Sequence, residues 1–170
     1  GLMASASSFL ESQGITYALI GGVALSVRGL VRSTSDIDML VDALPNASRD
    51  IAAEHGFYPS KSHTGTVMTI DHKSSGMIEL LLANDALRRY ALETAEYTMV
   101  LGSSVPVVTS EALVGLKAVA AADESRHKDD TLDAMAVVRN SPDIDLTHVR
   151  TLLAQDAQAV LDRIIKAASV

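Results

Sequence analysis

The sequence predicts an α/β (α+β) fold, a β-sheet flanked by helices and followed by a helical C-terminal portion. Three observations carry this. Short runs at residues 17–20, 36–41, 66–71 and 77–82 are apolar or alternating, with the length and period of strands. Segments between and before them repeat their apolar residues at helical spacing, and from Thr109 onward helical spacing alone remains. A chain of 170 residues with 48% hydrophobic residues suits one domain, or one core with a small helical appendage, and is long enough to bury a hydrophobic centre.

In chain order, residues 4–13 read as a helix that Gly14 ends in a left-handed turn. Residues 17–20 form a short apolar strand, and Gly21-Gly22 a turn. A short helix over 23–30 and a polar link carrying Arg32, Ser33 and Thr34 lead to a second strand, where Asp36 and Asp38 flank Ile37. Leu44-Pro45-Asn46 supplies a break and a cap for a helix over 47–55 closed by Gly56, after which Phe57 and Tyr58 begin a short strand. Residues 59–65 read as a loop, and 66–71 with 77–82 as an antiparallel hairpin. Asn84 caps a helix to about residue 95 with Arg88 and Arg89 on a solvated face, and 97–101 with 105–108 form another hairpin. Thr109 or Ser110 caps an apolar helix holding the single cation Lys117; a helix over 131–139 follows, ended by Pro142, and residues 147–168 read as one long amphipathic helix. The expected division is a core over 1–108 and a C-terminal helical subdomain over 109–170 packed on it.

Composition narrows the function. With no cysteine there is neither a disulfide framework nor a thiolate metal site, so a metal would be held by oxygen or imidazole. The five histidines have no metal-type spacing and read as surface residues. A net charge of -7 disfavours broad, non-specific nucleic-acid binding, which rests on an excess of Lys and Arg; a nucleic-acid substrate would be held by a local contact. No apolar run reaches the length of a membrane span, and the start lacks the basic and apolar regions of a secretory signal, so a cytoplasmic location is expected. No Ser-His-Asp arrangement or Walker-type loop competes for the chemistry.

The informative stretch is residues 17–42. Side chains alternate across a strand, so Asp36 and Asp38 share one face while Ile37, Met39 and Val41 take the other. Two carboxylates side by side repel, and burying them unpaired would cost several kcal/mol each. A divalent cation resolves the conflict, because magnesium takes oxygen ligands and is commonly held by one or two carboxylates together with substrate phosphates. Gly21 and Gly22 let backbone N–H groups approach an anion at a helix N-terminus. Glu79, the one charge in the apolar run 77–82, is the favoured third metal ligand; Asp71, at the mouth of the connecting turn, is its competitor.

At Gly21-Gly22, Arg32-Ser33-Thr34 and Asp36-Ile37-Asp38 the chain resembles the DNA polymerase β-like nucleotidyltransferase superfamily. It is most similar there to the stand-alone nucleotidyltransferases related to AbiEii-type toxins, and more distantly to aminoglycoside nucleotidyltransferases. Leu113, Leu116 and Lys117 match a Leu-x-x-Leu-Lys helix of the AbiEii-related proteins, and Arg126, Lys128 and Asp129 the segment after it; Asp130 and Asp133 leave that alignment uncertain by one residue.

The resemblance implies a nucleotidyltransferase fold with a small mixed sheet. It also implies an enzyme that moves a nucleoside monophosphate from an NTP to an acceptor hydroxyl and releases pyrophosphate. Asp36, Asp38 and Glu79 would hold two Mg2+ ions, with Mn2+ as a substitute, and Lys117 would act with them in catalysis. Gly21, Gly22, Arg32, Ser33, Thr34, Lys128 and Asp129 would bind the nucleotide. The acceptor it suggests first is tRNA, as for toxin-like members that have a cognate antitoxin; an aminoglycoside-type small molecule and a catalytically inactive nucleotide- or protein-binding member are the alternatives.

Overall fold

A computed structural model describes residues 1–30, 35–60, 62–123 and 129–169, with the side chain of Ser62 outside the description. Arg32, Ser33, Thr34, Arg126 and Lys128 lie outside the described residues. The elements run α1 (Leu2–Ser12), β1 (Tyr17–Ile20), α2 (Gly21–Val27), β2 (Ile37–Val41), α3 (Arg49–Glu54), β3 (Ser62–His63), β4 (Val67–Asp71) and β5 (Met77–Leu82). They continue with α4 (Ala86–Glu93), β6 (Glu96–Val100), β7 (Ser103–Val107), α5 (Ser110–Ala122), α6 (Asp129–Arg139), α7 (Thr147–Thr151) and α8 (Gln155–Ala168). No helix among the described residues is long and apolar enough to cross a membrane.

The strands form one mixed seven-stranded sheet in the order β3-β4-β5-β2-β1-β7-β6. β1 runs antiparallel to β2 and parallel to β7, and β2 runs parallel to β5. The parallel pairing of β2 with β5 sets the site. It aligns Asp38 with Glu79, while the antiparallel pair with β1 aligns Asp38 with Ile20, so these side chains form a row across one face. Ile37, Met39 and Val41 occupy the other face and are fully or almost fully buried.

Helices pack on the sheet because their apolar stripes have nowhere else to go. In α1, Met3, Ala6, Phe9 and Leu10 are buried along one side, and the Phe9 ring lies 5.3 Å from that of Phe57. α2 and α4 contact β2, and α5 packs against α4, α6 and α8. Gly115 lets α7 come close to α5: a Cβ there would stand 2.6 Å from Val149 Cγ1. Arg28, which follows α2, donates from Nε and Nη2 to the Val108 carbonyl at 3.1 and 2.8 Å and meets Glu96 at 3.4 Å, tying this end of the helix to β6 and to the end of β7.

Several boundaries differ from the sequence expectation. The helix after β1 begins at Gly21 itself, so the glycines form its first turn. Asp36 sits just before β2, Phe57 makes only an isolated bridge to His72, and Ser62–His63 pairs with β4 where a loop is expected. Asp85 rather than Asn84 caps α4, accepting from the Arg88 N–H at 2.8 Å. The expected single C-terminal helix is two, broken at 152–154. A two-pronged ion pair, Arg150 Nε and Nη2 to the Asp162 oxygens at 2.9 Å each, and a bond from Gln158 Nε2 to the Arg150 carbonyl hold the two pieces together across the break. His55 and His72 also belong to packing: His72 meets Phe57 edge-on at 4.7 Å and bonds Ser74, and His55 tilts against Phe9.

Candidate active site

Asp38 is half-buried in the middle of the row across the sheet, with Glu79 beside it on β5 and Asp36 two residues earlier. Its carboxyl is pushed up to about 6, first by burial and then by the negative charges of Glu79 and Asp36, with Lys117 pulling the other way. Three carboxylates therefore feel one another here. Among the described residues no three His, Asp or Glu side chains already stand gathered as a metal cage. Asp36, Asp38 and Glu79 are the oxygen donors that could hold a cation, provided it draws them together and takes its remaining ligands from a substrate.

Gly21 closes this group from the β1 side. Its φ is +69°, a left-handed conformation that a residue with a Cβ adopts only at a cost, and a Cβ there would run into the Asp38 carboxylate. The glycine thus serves two ends. It turns the chain from β1 into α2, and it leaves room for the carboxyl group beneath.

Opposite the row stands α5, which presents Leu113, Leu116, Lys117 and Ala120 at helical spacing to a cavity of about 540 Å³. Asp38, Glu79, Gly21, Gly22 and Ile20 line its sheet side, Asp85, Leu87 and Arg88 the α4 side, and Asp130 and Asp133 the α6 side. Lys117 Nζ donates to Asp130 Oδ1 at 3.0 Å and to Asp133 Oδ2 at 3.1 Å. Its side chain is 17% exposed and those of the aspartates 9% each, so these bonds are shielded from water; removing one partner from such a group costs roughly 3–5 kcal/mol. Lys117 therefore joins α5 to α6 while remaining close enough to Asp38 to act on its charge.

No protein-family model matches the chain, and no curated protein matches it by sequence. Solved structures do match. The antibiotic-resistance factor ANT(2'')-Ia is 12% identical, with a TM-score of 0.57 over 99% of this chain and 91% of that one. An antigenic nucleotidyltransferase-like protein from Paracoccidioides brasiliensis is 16% identical, with a TM-score of 0.57 over 97% and 85%. The lincosamide antibiotic adenylyltransferase LnuA, solved with lincomycin bound, is 16% identical, with a TM-score of 0.53 over 79% and 93%. The chain has the nucleotidyltransferase fold.

Within this nucleotidyltransferase fold Asp38, Glu79, Gly21, Gly22 and Lys117 come together around one cavity. Asp36 is half-buried and touches Asp38 through its field rather than the cavity wall. Asp129 is exposed at the start of α6 and outside the lining; Asp130 and Asp133, one and four residues on, face Lys117 instead. Asp71 pairs with Met77, is exposed, and lies one strand further from Asp38 than Glu79 does. If this row of carboxylates serves a nucleotidyl transfer, Glu79→Gln is expected to lower it about 100-fold or more, while Asp71→Asn changes it less than about threefold. Steady-state turnover of the two variants measures this, and the reverse order would move the third carboxylate to Asp71.

Arg88 is the residue that sequence reasoning missed. Instead of facing solvent it lines the cavity, its Nη1 donating to Asn84 Oδ1 at 3.0 Å and its Nε standing 3.6 Å from Asp85 Oδ2. The one sequence signal was its place next to Leu87, whose burial fixes which side of α4 turns inward.

Proposed function

We propose that the protein is a metal-dependent nucleotidyltransferase that moves a nucleoside monophosphate from an NTP to an acceptor hydroxyl and releases pyrophosphate. The observation that carries this is the row in which Asp38 stands beside Glu79, under a left-handed Gly21 that opens to the cavity. Asp36, Asp38 and Glu79 suit Mg2+, or Mn2+ in its place: they offer only oxygen, and Asp38, its carboxyl raised first by burial and then by the charges of Glu79 and Asp36, gains from a cation beside it. When bound, a pair of such ions neutralises the phosphates and activates the attacking oxygen.

The chain's own residues supply the rest. Glu79 takes the proton as the acceptor oxygen bonds to the α-phosphorus and the bond from that phosphorus to the bridging oxygen of pyrophosphate breaks. The backbone of Gly21 and Gly22 receives phosphate oxygens through its N–H groups, and Lys117 adds a positive field from α5. Arg32, Ser33, Thr34 and Lys128 complete the nucleotide-binding set that the resemblance implies, while Asp129, exposed and outside the cavity lining, is left out of it.

The acceptor is a small hydroxylated cation of the aminoglycoside type. The cavity wall carries Asp38, Glu79, Asp85, Asp123, Asp130 and Asp133 against the cations Lys117 and Arg88, and the chain as a whole is at -7; with Asp38 and Glu79 taken up by the cations that meet the triphosphate, the remaining acidic wall favours a cationic acceptor over a second polyanion. A toxin-like enzyme acting on tRNA, with a cognate antitoxin, is the second reading, favoured by the Leu113, Leu116 and Lys117 segment, which lines the cavity as that resemblance implies. Each of the four α-labelled nucleotides, incubated with Mg2+ and either a panel of aminoglycosides or total tRNA, separates the two. Label on an aminoglycoside is the expected result, label confined to tRNA would replace the acceptor, and bound nucleotide without transfer to either would mark an inactive member.

A further inference from the structure

β6 is the outermost strand at one end of the sheet, and among the described residues no strand pairs with its free side. The other end closes on β3, only two residues long, whereas β6 presents five residues paired without a bulge to β7. Edge strands of this length are normally blunted by lysine, proline, a bulge or an inward charge, because their unpaired backbone groups template another strand. The sequence of β6, Glu-Tyr-Thr-Met-Val, has none of these. Its single charge, Glu96, is at the first position and meets the chain's own Arg28 at 3.4 Å.

Two further features coincide with that open edge. Tyr97, Met99 and Leu101 are the three most exposed large apolar side chains described, at 75%, 67% and 81%; Tyr97 and Met99 alternate along β6 and so share one side of it, and Leu101 follows in the turn to β7. Leu101 also holds a φ of +51°, a conformation that costs a bulky residue about 1–2 kcal/mol, and its exposure means that packing within the chain returns none of this.

We propose that β6 is a self-association edge, pairing antiparallel with β6 of a second copy about a two-fold axis through Thr98. A two-fold interface must be self-complementary, and this one is. Antiparallel register about Thr98 sets Tyr97 opposite Met99 of the second copy, and Met99 opposite its Tyr97, so the apolar side chains of both strands share one side. Glu96 falls opposite Val100, and no charge meets its like. In a chain at -7, two copies repel over most approaches; β6 carries one charge, Glu96, which already meets Arg28, so this is an edge where two copies can approach.

Because the chain has no cysteine, one introduced thiol reports this geometry cleanly. Directly opposed residues of an antiparallel pair have Cα atoms roughly 4.5–5.5 Å apart, within disulfide reach. Thr98→Cys is expected to convert to a covalent dimer under mild oxidation at least about tenfold faster than the control Tyr58→Cys, an exposed position beside β4. Wild-type protein should sediment at one chain mass when dilute and approach two as concentration rises, and Tyr97→Lys with Met99→Lys should hold it at one. A wild type that stays at one chain mass throughout, or a Thr98→Cys protein that cross-links no faster than the control, would overturn the proposal. If the double lysine variant does not fold, the cross-linking rates still decide.

Discussion

Asp38→Asn will abolish nucleotidyl transfer while making the free protein more stable at neutral pH. The first half follows from the removal of a charged oxygen donor from the centre of the row; loss of such a group lowers turnover by about 1,000-fold or more. The second follows from the cost of keeping Asp38 ionised. Its carboxyl titrates near 3.8 when free and about 6 in the fold, raised by burial, Glu79 and Asp36. A group raised in this way favours the folded state fully below its free value, and that contribution is lost as pH rises through the folded value. Asparagine has no such loss. The stability gap between variant and wild type should be near zero well below pH 4, open between about pH 4 and 6, and stay constant above, at about 1–2 kcal/mol once solvent screening is allowed for, with the melting temperatures separating over the same range. Melting curves across this range, with turnover at neutral pH, check both halves; a variant that retains transfer would remove the proposed mechanism. Affinity of the free protein for Mg2+ should fall as pH drops through about 6, because proton and cation compete for the Asp38 carboxyl; a Mg2+ titration at about pH 5 and pH 7 measures this.

Gly21→Ala will damage stability and transfer together, and Gly14→Ala separates the causes. Both glycines have nearly the same φ, +68° at Gly14 and +69° at Gly21, so both alanines bear the left-handed cost of about 1–2 kcal/mol. A Cβ on Gly14 meets nothing within 4 Å, whereas one on Gly21 strikes the Asp38 carboxylate. Denaturant unfolding should therefore show a larger loss for Gly21→Ala by roughly another 1–3 kcal/mol, the range for overpacking, with transfer lost in that variant and kept in Gly14→Ala. Equal losses in the two would mean that the contact with Asp38 is easily relieved.

Much of this site was legible because its signals are local. A carboxylate pair at period two and a lone glutamate in an apolar run are conspicuous against the strands that carry them, and the glycine pair marks the bend. What the sequence could not supply was pairing between distant segments. That β2 runs parallel to β5, aligning Asp38 with Glu79, depends on a crossover spanning residues 42–76 and on no local pattern. The two aspartates that hold Lys117 were visible only as a shift of one residue in a charged segment, and their partner was decided by how α6 packs on α5. Nothing local marks Arg88 as inward, because charged residues on short helices usually face solvent. The break before α8 carries no glycine or proline; both pieces keep a helical period, and the bend belongs to tertiary contacts through Val149, Arg150 and Asp162.

The short helix after β1 is fastened twice, by Arg28 to main-chain oxygens beyond one end and by the snug seat of Gly21 over Asp38 at the other. A segment held in this manner has little motion left to surrender when a triphosphate arrives, so its amide groups meet the anion already aimed. On the proposed function, nucleotide recognition at this bend is set during folding, and the opposite wall is fixed as well, since Lys117 is held there between Asp130 and Asp133 and shielded from water.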